Sequence, residues 1–184
     1  MAQNNEPLTG FKWPVSVNRA IAAPPSRVWE VISSPGLMPL YHPFCKENRV
    51  HHWPGHGSRD EIHYFSGWVL RRNITDWIDG VGLDLEIGRS GGRTSMVSWR
   101  IADRGDQRSS LRITIYPHAL QHLPMVARWF PHVVTLRPQL TRYLVSVAKG
   151  LDWFITFEEP VRRNQFGSHS WFSPPIPRQP ETAS

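Results

Sequence analysis

The sequence predicts an α+β domain in which a run of antiparallel strands packs against one long C-terminal helix. Three observations carry that prediction. A strand and a short helix come first. Alternating segments separated by short turn signals fill the middle, from Phe44 to Tyr116. One amphipathic stripe, from about Leu136 to Phe157, closes the pattern. A curved sheet wrapped around a terminal helix satisfies this order and leaves a cavity between the two, which is where function is to be sought.

Each element has its own signal. Val15, Val17 and Ile21 are separated by Ser16, Asn18 and Arg19, which predicts a strand. Pro24 and Pro25 stop it and suit a first helical turn, where a missing N–H costs nothing. Val28, Trp29 and Ile32 follow at helical spacing, and Ser33-Ser34-Pro35-Gly36 ends that helix. Val81, Leu83, Leu85 and Ile87 alternate with Gly82, Asp84, Glu86 and Gly88, so one face is buried and one is wet. Asp79-Gly80 before them predicts a type I′ hairpin. Val97, Trp99 and Ile101 form a further inward row. Leu111, Ile113 and Ile115 alternate with Arg112, Thr114 and Tyr116. Short connections between these segments imply antiparallel neighbours. Leu136, Leu140, Tyr143, Leu144, Val147, Leu151 and Phe154 lie on one helical face, with Pro138 tolerated only near the start.

Composition bounds the function classes. The 184 residues suffice for one domain with a real core, and 40% are hydrophobic. Residues 1–10 read as a flexible leader, 11–173 as a single domain and 174–184 as a proline-rich disordered tail. Nine tryptophans exceed what a core of this size needs, and large rings suit an apolar pocket wall. The formal charge of +6 is scattered rather than run together. Arg71 and Arg72 are adjacent on a strand and therefore face opposite sides, so they form no stripe for nucleic acid. Cys45 is the only cysteine, which excludes an intrachain disulfide and fits a reducing compartment. Residues 1–10 contain no apolar signal core, and no stretch approaches ~20 apolar residues. A cytoplasmic location without an integral membrane segment is the expectation.

The segment from Arg19 through Ala23-Pro24-Pro25 to Val28-Trp29 and Ser33-Ser34-Pro35 resembles the opening of START-like, or SRPBCC, proteins. That superfamily includes polyketide cyclases/dehydrases and the birch-pollen allergen group. Leu40-Tyr41-His42-Pro43-Phe44 resembles its next signal, and the stretch from Arg163 to Phe172 is similar to bacterial members. The resemblance spans about residues 13–172. It implies a helix-grip fold: a curved seven-stranded antiparallel sheet around a long C-terminal helix, two short helices after the first strand, and a deep pocket for hydrophobic ligands. Fold alone does not fix function, because such proteins bind, carry or react.

Candidate chemistry is sparse. Tyr41, His42, Phe44, Trp99, Tyr116, Tyr143 and Val147 are the expected pocket-lining residues. Met125 and Trp129 are expected in a lid formed by residues 117–131. His42 is the candidate catalytic group, because a neutral imidazole can take a proton or hold a ligand carbonyl. Its sequence neighbourhood offers no acid–base partner. His51, His52, His56 and His63, near Asp60 and Glu61, match no zinc spacing and read as solvated loop histidines. The residues from Asn164 to Phe172 read as a structural clasp over the end of the core. No cofactor motif is visible, and no metal site is expected.

These readings predict a protein that binds a lipid, polyketide or aromatic metabolite in an internal cavity, as a monomer or homodimer. A polyketide cyclase/dehydrase-type enzyme using His42 is the alternative. A ligand-free interaction module is the third.

Overall fold

The computed structural model describes residues 13–118 and 131–175. The expected leader, most of the expected tail and the lid residues Met125 and Trp129 lie outside these segments. Seven strands form one antiparallel sheet: β1 (Val15–Ile21), β2 (Cys45–His52), β3 (Arg59–Tyr64), β4 (Val69–Ile78), β5 (Gly82–Gly88), β6 (Thr94–Gly105) and β7 (Arg108–Tyr116). Their order is β1-β7-β6-β5-β4-β3-β2. Strands β2 to β7 thus form a meander, and β1 closes the far side by pairing with β7.

Helices α1 (Pro25–Ser33) and α2 (Met38–Tyr41) connect β1 to β2. Pro25 opens α1 and Pro39 lies in the first turn of α2, where neither removes a needed hydrogen bond. The long helix α3 (Arg137–Phe157) packs against β1 and β7. Its 21 residues span roughly 31 Å at 1.5 Å each. A π-turn, His132–Leu136, leads into it, and Pro138 falls in its first turn as the pattern requires.

The alternating rows align across strands. Val17, Ile113, Trp99 and Leu83 form one ladder. Val15, Ile115, Val97 and Leu85 form the next. Leu140, Leu144, Val147 and Leu151 of α3 belong to the same core. Arg19 Nη2 reaches Asp152 Oδ2 at 2.6 Å and ties the β1 edge to the helix.

Two details depart from expectation. The β4–β5 turn is not type I′, because only Gly80 of the central pair has positive φ (71°). Val81 is accordingly exposed in the turn, and the buried row starts at Leu83. The tryptophans also divide. Trp29, Trp53 and Trp77 stack edge to face at 5.2 and 5.4 Å and pin α1 to the β2–β3 turn and to β4. Trp53 Nε1 donates to the Ser33 carbonyl at 2.7 Å.

The chain after α3 returns over α2. The Val161 amide donates to the Leu40 carbonyl, and the Asn164 amide to that of Pro43. Farther along, the Ser66 amide donates to the Phe172 carbonyl. Phe172 is buried, whereas Phe166 and Trp171 are half-buried. Inside the same segment His169 is fully buried, with Nε2 3.1 Å from the Gln139 carbonyl.

Candidate functional site

A cavity of about 450 Å³ lies between the sheet and α3. That is within the usual range for a small-molecule site. Leu140, Leu144 and Val147 form its floor; Leu85, Val97, Trp99, Ile113 and Ile115 form much of its wall. Trp68, Arg89 and Arg93 stand at the rim, where the Arg89 guanidinium lies 4.3 Å over the Trp68 ring. Among the described residues, no Asp or Glu is in the wall.

The inner end is polar and buried. His42 follows α2 directly, and Tyr143 projects from α3. Their side chains meet with His42 Nε2 2.9 Å from Tyr143 Oη. Tyr143 Oη lies 2.9 Å from Tyr64 Oη of β3. The Phe44 amide donates to His42 Nδ1 at 3.3 Å. An Nδ1 that accepts must be unprotonated, so Nε2 carries the hydrogen and donates to Tyr143. Burial, with the nearby Arg72 cation adding to it, pushes the His42 pKa down to about 3. Burial pushes the Tyr143 hydroxyl up to about 12 and Tyr64 well above the ordinary value. All three groups are therefore neutral near pH 7.

Beside them, Arg72 of β4 and Asp60 of β3 are direct cross-strand partners. Arg72 Nε donates to Asp60 Oδ1 at 2.7 Å, and Nη2 donates to Oδ2. Asn48 Nδ2 also donates to Asp60 Oδ2, at 3.0 Å. Burial works against the arginine's charge, but Asp60 outweighs it and holds Arg72 protonated. Arg72 is 8% and Asp60 2% exposed, so this pair is well inside the protein.

Of the residues expected to line a pocket, His42, Trp99, Tyr143 and Val147 are in this wall. Tyr41 and Phe44 are buried in the core next to it. Tyr116 follows Ile115 on β7, so alternation sends it to the opposite face. Sequence reasoning missed Tyr64, Arg72 and Asp60. The signal was available: Asp60, Ile62 and Tyr64 share one strand face, as do Leu70, Arg72 and Ile74. Asp60 lies in sequence between His56 and His63, which masks its place on that face. His51 and His63 instead flank Glu61 at 3.8 and 3.6 Å, beside Arg71 at 2.9 Å. Among the described residues, no group of three or more His, Cys, Asp or Glu side chains could hold a metal ion.

A sheet that grips one long helix over an internal apolar cavity defines the START-like, or SRPBCC, class of protein. Within it, the chain belongs to the family described as polyketide cyclase / dehydrase and lipid transport, whose model matches residues 12–150. Among solved structures, a START superfamily protein from Mycobacterium smegmatis is similar with a TM-score of 0.63 at 13% identity, over 79% of this chain and 98% of that one. A protein from Mesorhizobium loti is similar with a TM-score of 0.61 at 15% identity, over 80% and 99% of the two chains. Ara h 8.0201 is similar with a TM-score of 0.59 at 12% identity, over 79% and 98%. No curated protein matches. Among the described residues no helix is long and apolar enough to cross a membrane.

Proposed function

We propose that the protein binds a hydrophobic or amphipathic small molecule, such as a lipid, polyketide or aromatic metabolite, between the sheet and α3. The observation that carries this reading is the cavity itself, about 450 Å³ with a largely apolar wall and floor. Burying ligand surface there is favourable by roughly 25 cal/mol per Å² of apolar area, before the costs of ordering. The family description, which joins cyclases and dehydrases to lipid transport, supports the same ligand class. Cys45 is buried, with its thiol pushed up to about 12 by burial, so it is an inert thiol.

Native mass spectrometry of gently purified protein, followed by organic extraction, tests the proposal. The expected result is a stoichiometric adduct that is absent from Val147→Trp protein whose melting shows it folded. Val147 is buried in the cavity floor, so an indole there occupies ligand space. Retained uptake by that variant overturns the placement of the site.

The second reading, a cyclase/dehydrase-type enzyme, is favoured by one observation: a histidine and two tyrosines meet at the inner end of the cavity. His42 is not set up as a free base there, because Nδ1 accepts the Phe44 amide and Nε2 already carries a hydrogen. In an enzyme its role would be to orient Tyr143. His42→Ala then lowers turnover of an identified substrate; unchanged turnover rejects the reading.

A further inference from the structure

The inner end of the cavity carries more donor hydrogens than its own hydrogen bonds use. His42, Tyr143 and Tyr64 present three donors: one N–H and two O–H. Two hydrogen bonds join the three groups. His42 Nε2–H supplies the first. The second is supplied by either Tyr143 or Tyr64. Whichever it is, the other tyrosine keeps a hydroxyl hydrogen with no acceptor among the described residues. Both tyrosines line the cavity and are at least nine-tenths buried.

Arg72 adds to this. It also lines the cavity, and it uses Nε and Nη2 on Asp60. Its Nη1 has no acceptor among the described residues. The inner end is thus rich in donors and poor in acceptors. Its charge is balanced, because Arg72 is already matched by Asp60. A carboxylate placed there would bring an uncompensated buried charge, whereas a neutral oxygen would satisfy donors at no such cost.

We infer that the inner end of the cavity is a subsite for one neutral acceptor oxygen, a ketone, ester or amide carbonyl, on an otherwise apolar ligand. The inference rests on the cavity being the binding site. The tyrosine hydroxyls hold the oxygen, Arg72 lies beside it, and the His42 Nε2–H holds the Tyr143 hydroxyl in place. The apolar remainder of the ligand lies along α3 and the β5–β7 wall toward the rim.

A matched ligand series tests this, read by tryptophan fluorescence or calorimetry. The probes are 2-acetylnaphthalene, its acceptor-free isostere 2-isopropylnaphthalene, and 2-naphthoate. The ketone is expected to bind about tenfold more tightly than the isostere, the size of one buried hydrogen bond. The readout in variants is the ratio of those two affinities, so a general change in pocket affinity cancels. Tyr64→Phe and Tyr143→Phe each still leave a donor in place and keep most of the preference. The double variant removes both hydroxyls and lowers the ratio severalfold, leaving only His42 Nε2–H and Arg72 Nη1 as donors; an unchanged ratio overturns the assignment of the oxygen to the tyrosines. Equal binding of ketone and isostere by the wild-type protein overturns the subsite while leaving the cavity as the ligand site. Tightest binding of naphthoate also overturns it and moves recognition to the rim arginines. Binding of none of the three overturns the cavity reading itself, and this inference with it.

Discussion

The two halves of the sheet meet the same helix but are held by different physics. In the half made of β5, β6, β7 and β1, apolar residues stand opposite one another strand after strand, as in Leu83, Trp99, Ile113 and Val17. In the half made of β2, β3 and β4, the inward face carries Asp60, Arg72 and Tyr64. The first half is stabilised by volume and shape. The second depends on each polar group keeping its partner. A substitution in one half leaves a void; in the other it leaves a stranded charge or donor.

The largest expected effect therefore lies in the polar half. Asp60→Ala strands the Arg72 guanidinium in the interior and should cost about 3–5 kcal/mol, measured by urea denaturation. Converting both partners to apolar residues of similar volume should recover much of that loss. If Asp60→Ala unfolds at the wild-type midpoint, the contrast between the halves is wrong. Next comes the apolar half: Leu111 is completely buried, and Leu111→Ala should cost roughly 2–5 kcal/mol with no rescue by a polar partner.

A smaller effect follows from pH. Folded His42 has its pKa depressed to about 3, against 6.5 when unperturbed. Below about pH 6.5 the unfolded chain takes up a proton that the folded chain does not. Stability should then fall as pH drops from about 6.5 toward 3, by at most ~1.4 kcal/mol per unit from this residue. Burial lowers His169, His132 and His118 in the same direction. Denaturation at pH 7 and pH 5 should show the decline, and His42→Gln should reduce its slope. The smallest effect belongs outside both halves. Arg49 and Glu47 are paired at 2.8 Å on the exposed β2 edge, and Arg49→Ala should leave the melting temperature within error.

The same comparison explains what the sequence could reveal. Strict alternation in Leu83-Leu85-Ile87, Val97-Trp99-Ile101 and Leu111-Ile113-Ile115 exposed the apolar half, since nothing but burial accounts for it. The stripe from Leu136 to Phe154 exposed the helix for the same reason. The polar half was harder to read. A buried arginine and a surface arginine look alike until the partner strand is in place, and Asp60 becomes the partner of Arg72 only through the β3–β4 register. His42 and Tyr143 were each visible as pocket candidates. Their meeting was not, because 101 residues separate them in the chain.

Gly150 of α3 faces α2, and a Cβ added there would overlap the Tyr41 carbonyl oxygen. Backbone therefore rests almost directly on backbone just behind His42. That contact between α2 and α3 is main chain on main chain, which side-chain substitution cannot trim away. The cavity wall, by contrast, is made by Val97, Trp99, Val147 and their neighbours, which can be enlarged or reduced one at a time. A scaffold of this kind can change the width of its cavity by single substitutions while the seat of α2 on α3 stays fixed.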